Sequence, residues 1–204
     1  MTLTDIATRN GYQHHARRDR SVDPEAAQRA VRNLLLALGR DPDDLHLADT
    51  PRRVAAAFGE LLTPTPFNPT MFPNDEGYDE LVIARDVPFH SLCQHHLLPF
   101  RGVAHIGYLP GDRILGLSKL ARVVERFARD LQVQERLTKQ VADWIQDRVQ
   151  PRGVGVVLEA EHLCMSLRGV KARGARTLTS AVHGQLREDA RSRAEFFALA
   201  GVHP

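Results

Sequence analysis

The chain has 204 residues, of which 43% are hydrophobic and 25% charged, with a formal net charge of +2; that is enough for one full hydrophobic core and little more. So small a net charge excludes a global field that would draw the chain to nucleic acid or a membrane surface. No run approaches the roughly 18 apolar residues that cross a bilayer, and residues 1–20 hold no apolar stretch of the secretory kind, so the expectation is one cytoplasmic domain.

Residues 1–22 are polar, carry His14, His15, Arg17, Arg18 and Arg20 without a sustained period, and are expected to be a flexible tail ahead of a domain spanning 23–204. Asp23 and Pro24 supply an N-cap and a first-turn proline. Ala27, Ala30, Val31, Leu34, Leu35 and Leu38 then recur at helical spacing up to Gly39. Asp49, Thr50 and Pro51 open a second helix carrying Val54, Phe58, Leu61 and Leu62, and Pro64 and Pro66 stop it. With Pro69 and Pro73 they make residues 63–78 an irregular crossing.

From Leu81 the period shifts toward two. Leu81, Val82, Ile83, Val87 and Phe89 predict a strand, and after a break at Gly102, Val103, His105 and Gly107 to Leu109 predict its partner. Leu117, Leu120, Val123, Val124 and Phe127, then Leu137, Val141, Trp144, Ile145 and Val149, predict two successive helices joined at residues 132–135. Pro151 and Gly153 end the second. A strand beginning at Val154 delivers His162 and Cys164, another runs near residues 177–182, and a polar helix near 187–200 closes the chain. Strand pairs separated by helices make an α+β domain, with a helical part over 23–80 and a sheet core over 81–204.

Both cysteines stand in histidine company, Cys93-Gln94-His95-His96 in one segment and His162-Leu163-Cys164 in the other. Two thiolates and up to three imidazoles suit Zn²⁺, and three protein ligands plus a water would make such a site catalytic rather than structural. A disulfide is the competing reading, but it leaves the flanking histidines unexplained. A cysteine alone is more often a small buried hydrophobe, and a histidine alone a hydrogen-bonded core residue. Residues 93 and 96 can turn to one centre from a tight turn, and 162 and 164 share a side if they lie on a strand.

Residues 89–197 resemble the GTP cyclohydrolase I family. The matching pieces are Cys-x-His-His at 93–96, Gly-Leu-Ser-Lys at 116–119, Gln-Val-Gln-Glu-Arg-Leu-Thr at 132–138, and His-x-Cys at 162–164 followed by Arg168-Gly169-Val170. Thr-Pro-x-Arg-Val at 50–54 extends the likeness toward the N-terminus. The resemblance implies Zn²⁺ on Cys93, His96 and Cys164, with His95, His162, Ser118 and Gln94 around the chemistry. It implies Glu135 and Gln134 at the guanine base, and Lys119, Arg122, Arg168 and, less directly, Lys171 at the triphosphate. Lys119 and Arg122 lie three apart and so share a helix face.

The implied reaction converts GTP and water to formate and 7,8-dihydroneopterin triphosphate, feeding pterin, folate or 7-deazapurine synthesis. The implied fold is the tunnelling fold, an antiparallel sheet with helices on one face, whose subunits join into rings that stack as a homodecamer. Gln94 departs from the family, which usually has Glu there, and the amide can neither carry charge nor take a proton. Ser166 stands where a basic residue is common, and Ala56 where some members carry lysine. Two other readings follow from these departures: a variant that stops after imidazole opening, or a non-catalytic nucleotide-binding paralogue with structural zinc.

Overall fold

The computed structural model describes residues 22–202, which form two compact units parting between Gly59 and Glu60. In the first, α1 (Pro24–Ala37) begins where Asp23 accepts the Ala26 N–H at 2.9 Å and Pro24 enters the first turn. Arg32 reaches Asp43 at 2.7 Å. The helix α2 (Thr50–Leu62), whose last residues belong to the second unit, follows Asp49, whose carboxylate accepts from Arg52 at 2.7 Å and Arg53 at 3.1 Å.

The second unit holds β1 (Met71–Pro73), β2 (Val82–Cys93), β3 (Pro99–Leu109), β4 (Arg113–Leu115), α3 (Leu117–Ala128), β5 (Leu131–Gln132) and α4 (Gln134–Val149), then β6 (Gly153–His162), α5 (Leu163–Ser166), β7 (Thr177–Gly184), α6 (Gln185–Glu188) and α7 (Ala190–Ala200). Five strands form one sheet in the order β5-β2-β3-β6-β7, antiparallel except for the short parallel β5–β2 pair, and β1 pairs with β4 apart from it. This is the α+β tunnelling fold expected from the sequence.

Alternation along the strands sorts the core. Ala104, Ile106 and Tyr108 of β3 with Val154, Val156, Leu158 and Ala160 of β6 face Leu120, Val123 and Val124 of α3 and Leu137, Val141 and Ile145 of α4. On the opposite face Leu109, Val157, Leu186 and Phe196 form a smaller cluster under α7. The resemblance implied helices on one face, which holds for α3 and α4, while α7 adds a cap to the other. Phe196 fits only because Gly107 and Gly155 lie beneath its ring, where a Cβ would sit 2.9 and 2.6 Å away.

Three local expectations are corrected. Gly102 does not break β3; the strand runs through it from Pro99, and glycine is required because a Cβ would meet the Glu159 carbonyl oxygen at 1.8 Å across the β3–β6 pairing. The crossing at residues 63–78 contains β1, and the junction at residues 132–135 contains β5, both too short for periodicity to register. Cys164 is not on a strand: β6 ends at His162, and the chain turns into α5. No helix among the described residues is long and apolar enough to cross a membrane, and the expected tail over 1–22 lies, save Val22, outside those residues.

Candidate active site

The hairpin loop between β2 and β3 is closed by backbone bonds. Cys93 donates to Leu98 at 2.9 Å, Leu97 donates to Cys93 at 2.8 Å with a φ of 56°, and Gln94 donates to Gln132 of β5 at 3.0 Å. This tight reversal brings His96 Nδ1 to 3.7 Å from the buried Cys93 sulfur. The helical turn of α5 carries the Cys164 sulfur to 4.0 Å from the Cys93 sulfur. Cys93, His96 and Cys164 thus offer three ligand atoms all within 4.8 Å of one another, a group that could hold a metal ion.

Ligand spacing tests the fit to zinc. Tetrahedral angles with Zn–S of about 2.3 Å and Zn–N of about 2.0 Å set S···S at about 3.8 Å and S···N at about 3.5 Å. The separations of 4.0 and 3.7 Å come close to both. Both cysteines are free thiols. Burial, then the adjacent Cys93 sulfur, pushes the Cys164 thiol above its ordinary range, while Arg168 opposes the rise; crowding two thiols in this way favours a cation that would accept both as thiolates.

His95 is exposed on the same loop, with Nδ1 at 3.8 Å from the Cys93 sulfur and Nε2 at 3.4 Å from the Gln94 amide nitrogen. His162 ends β6 opposite Phe100 in the β3–β6 ladder, and the two rings stack with centroids 4.6 Å apart and planes 3° from parallel. Its Nε2 lies 2.8 Å from Gln134 Oε1. Burial lowers the His162 pKa from its ordinary value, and the nearby Glu135 carboxylate opposes that. Glu135 is exposed in the first turn of α4, where the helix dipole favours a carboxylate.

Gln134, expected at the base, is instead 2% exposed. Its Nε2 donates to Leu158 O at 3.0 Å and Thr177 O at 2.9 Å and lies 3.1 Å from Thr179 Oγ1. Phe100 and Thr179 were not anticipated. Neither carries a signal in the sequence, because the stacking of Phe100 on His162 and the place of Thr179 beside Gln134 arise only from the pairing of β3, β6 and β7.

Arg168 and Lys171 are exposed in the segment just after Cys164, Lys171 with a φ of 53°. Ser166 is buried and its hydroxyl has no hydrogen-bond partner among the described residues, so its position is not a surface one that a basic side chain vacated.

Ser118, Lys119 and Arg122 are not brought to this group within the chain. The far end of α3 meets the loop end of the sheet, where the Ser91 hydroxyl donates to Ala128 O at 2.5 Å. Its start lies beside Tyr108, whose hydroxyl accepts the Leu115 N–H at 2.9 Å. Tyr108 is eight residues along β3 from Phe100, about 27 Å at strand rise. Ser118 and Lys119 therefore sit near the opposite end of the sheet, and Arg122 one turn nearer.

A family profile described as GTP cyclohydrolase I matches residues 27–201. GTP cyclohydrolase 1 of Mycobacterium ulcerans (strain Agy99) is 54% identical over 187 residues, covering 88% of this chain and 92% of its own. The protein of the same name from Mycobacterium leprae (strain TN) is 53% identical over 189 residues, covering 89% and 91%. That from Corynebacterium glutamicum (strain ATCC 13032) is 49% identical over 189 residues, covering 90% and 96%.

Proposed function

The chain belongs to the GTP cyclohydrolase I family and is a GTP cyclohydrolase, and on that premise we propose that it releases formate from GTP and yields 7,8-dihydroneopterin triphosphate, using a Zn²⁺ ion held by Cys93, His96 and Cys164. The observation that carries this reading is the convergence of those three ligand atoms, with His162 two residues before Cys164 in the chain. Bound there, Zn²⁺ supplies the Lewis acidity that makes water nucleophilic near neutral pH.

The chain's own residues do the rest. His162 gives a proton to the purine nitrogen beside C8, which makes that carbon electrophilic, and assists the loss of formate. Glu135 accepts from the ring N–H and the exocyclic amine of guanine, a donor pair that adenine lacks. His95 and Ser118 move protons at the ribose during ring opening and reclosure. Lys119, Arg122, Arg168 and Lys171 hold the triphosphate.

The separation of Ser118 and Lys119 from the metal ligands supports a site completed by a second copy. Such completion agrees with a ring assembly, a decamer of two stacked pentamers, in which the edge strand β7 and the stretch of β2 that the short β5 leaves uncovered pair between subunits. Formate, followed together with the fluorescence of the oxidised pterin, tests the reading. Both signals support the full reaction. Neither signal, from folded metal-loaded protein, overturns it in favour of a non-catalytic nucleotide-binding paralogue.

A second reading rests on Gln94, whose amide nitrogen lies 3.4 Å from His95 Nε2. A neutral amide there cannot exchange a proton with His95 as a carboxylate could, and a reaction halted after imidazole opening would give formate without pterin.

A further inference from the structure

The Gln134 amide has one orientation open to it. Leu158 O and Thr177 O can only accept, so the group facing them at 3.0 and 2.9 Å is the NH₂. Thr138 Oγ1 donates to the main-chain carbonyl of Gln134 at 2.7 Å, so at its 2.6 Å contact with Thr179 the proton comes from Thr179. Thr179 Oγ1 then turns a lone pair to the Gln134 NH₂ at 3.1 Å. Three acceptors surround one side of the amide, and the other side is fixed as the carbonyl. That oxygen can only accept, so His162 Nε2, 2.8 Å away, carries a hydrogen. Stacking on the fully buried Phe100 fixes the plane of the ring.

We propose that Gln134 is a positioning residue for His162, locking the imidazole as the Nε2–H tautomer and leaving Nδ1 as the nitrogen that exchanges a proton with substrate. This rests on the reading above in which His162 moves protons, and it assigns Gln134 to the histidine rather than to the guanine base. Gln134 anchors on β6 and β7 and orients a side chain at the end of β6. The tautomer is thereby set by the strand pairing itself.

Two measurements test it. In ¹⁵N solid-state spectra of histidine-labelled protein, with the His162 signals assigned by their loss in His162→Gln, the wild type gives a protonated Nε2 and a bare Nδ1, and Gln134→Leu gives a tautomer mixture. An Nδ1–H tautomer in the wild type overturns the proposal whether or not the protein turns over GTP. In kinetics, Gln134→Leu lowers kcat on the order of 10–100-fold, the cost typical of losing an orienting partner, while KM for GTP holds within about twofold. Where the leucine variant does not fold, the wild-type spectra alone decide the tautomer. A KM rise of about tenfold or more with kcat intact makes Gln134 a base contact and overturns the proposal. Wild-type formate release from GTP is the control: its absence refutes the cyclohydrolase reading, and the spectra still decide the tautomer.

Discussion

Cys164 shows how one residue can be legible in kind and misread in place. Its chemistry was evident from its histidine neighbour, yet the strand expected to carry it ends two residues earlier, because the backbone turns helical at Leu163. Cys164 still comes within 4.0 Å of the Cys93 sulfur, but from a helical turn. Replacing Cys164 with Ser removes one of only two soft ligands, so bound zinc, read by atomic absorption, and formate release are both expected to fall to background; full activity with metal retained would remove Cys164 from the site. Glu135→Gln should leave metal content intact and erase the preference for GTP over ATP, since an amide cannot accept from two guanine donors together. Gln134 marks where sequence reading stopped. A glutamine beside the expected base reader looks like a second reader, and only the carbonyls of Leu158 and Thr177, brought near by β6 and β7, reveal that its donors are already engaged.

Elements were legible where their period was long. The helices α1 to α4 and strands β2, β6 and β7 all lie where spacing predicted, while β1, β4 and β5, at two or three residues each, exist only through tertiary pairing. Close packing sets the demands between elements. Gly155→Ala would place a Cβ 2.6 Å from the Phe196 ring, an overpacking expected to cost about 1–3 kcal/mol; thermal unfolding should show it, and Phe196→Leu in the same chain should recover part of the loss. Between α4 and β7, Asp143 accepts from Lys139 at 2.8 Å and His183 at 2.9 Å. Burial pushes its carboxyl up, but those partners outweigh it and hold the pKa below the ordinary value. A depressed pKa contributes stability that is present above the unfolded value of about 3.9 and lost as pH falls through the folded one. Asp143→Asn should therefore unfold at lower urea than wild type at pH 7, with the gap narrowing below about pH 4. A constant gap across that window would show that the ion pairs contribute nothing.

At the scale of the whole molecule the resemblance implied rings of subunits, and one chain does not gather all the residues expected at the site. That fact lives in the length of β3 and the direction of α3, which put Ser118 and Lys119 at one end of the sheet and Cys93 at the other. If copies complete one another's sites, Lys119→Ala and Cys164→Ser are each inactive alone, yet an equal mixture, dissociated and reassembled, should regain about one quarter of wild-type activity from junctions where both contributing surfaces are sound. No recovery from mixed assemblies would place the whole site within one subunit. The same layout has a consequence for inheritance. If copies complete one another's sites, a doubly defective copy expressed beside the normal gene should leave about one quarter of the sites intact, below the normal copy's half, whereas a copy defective at one surface alone should leave about half.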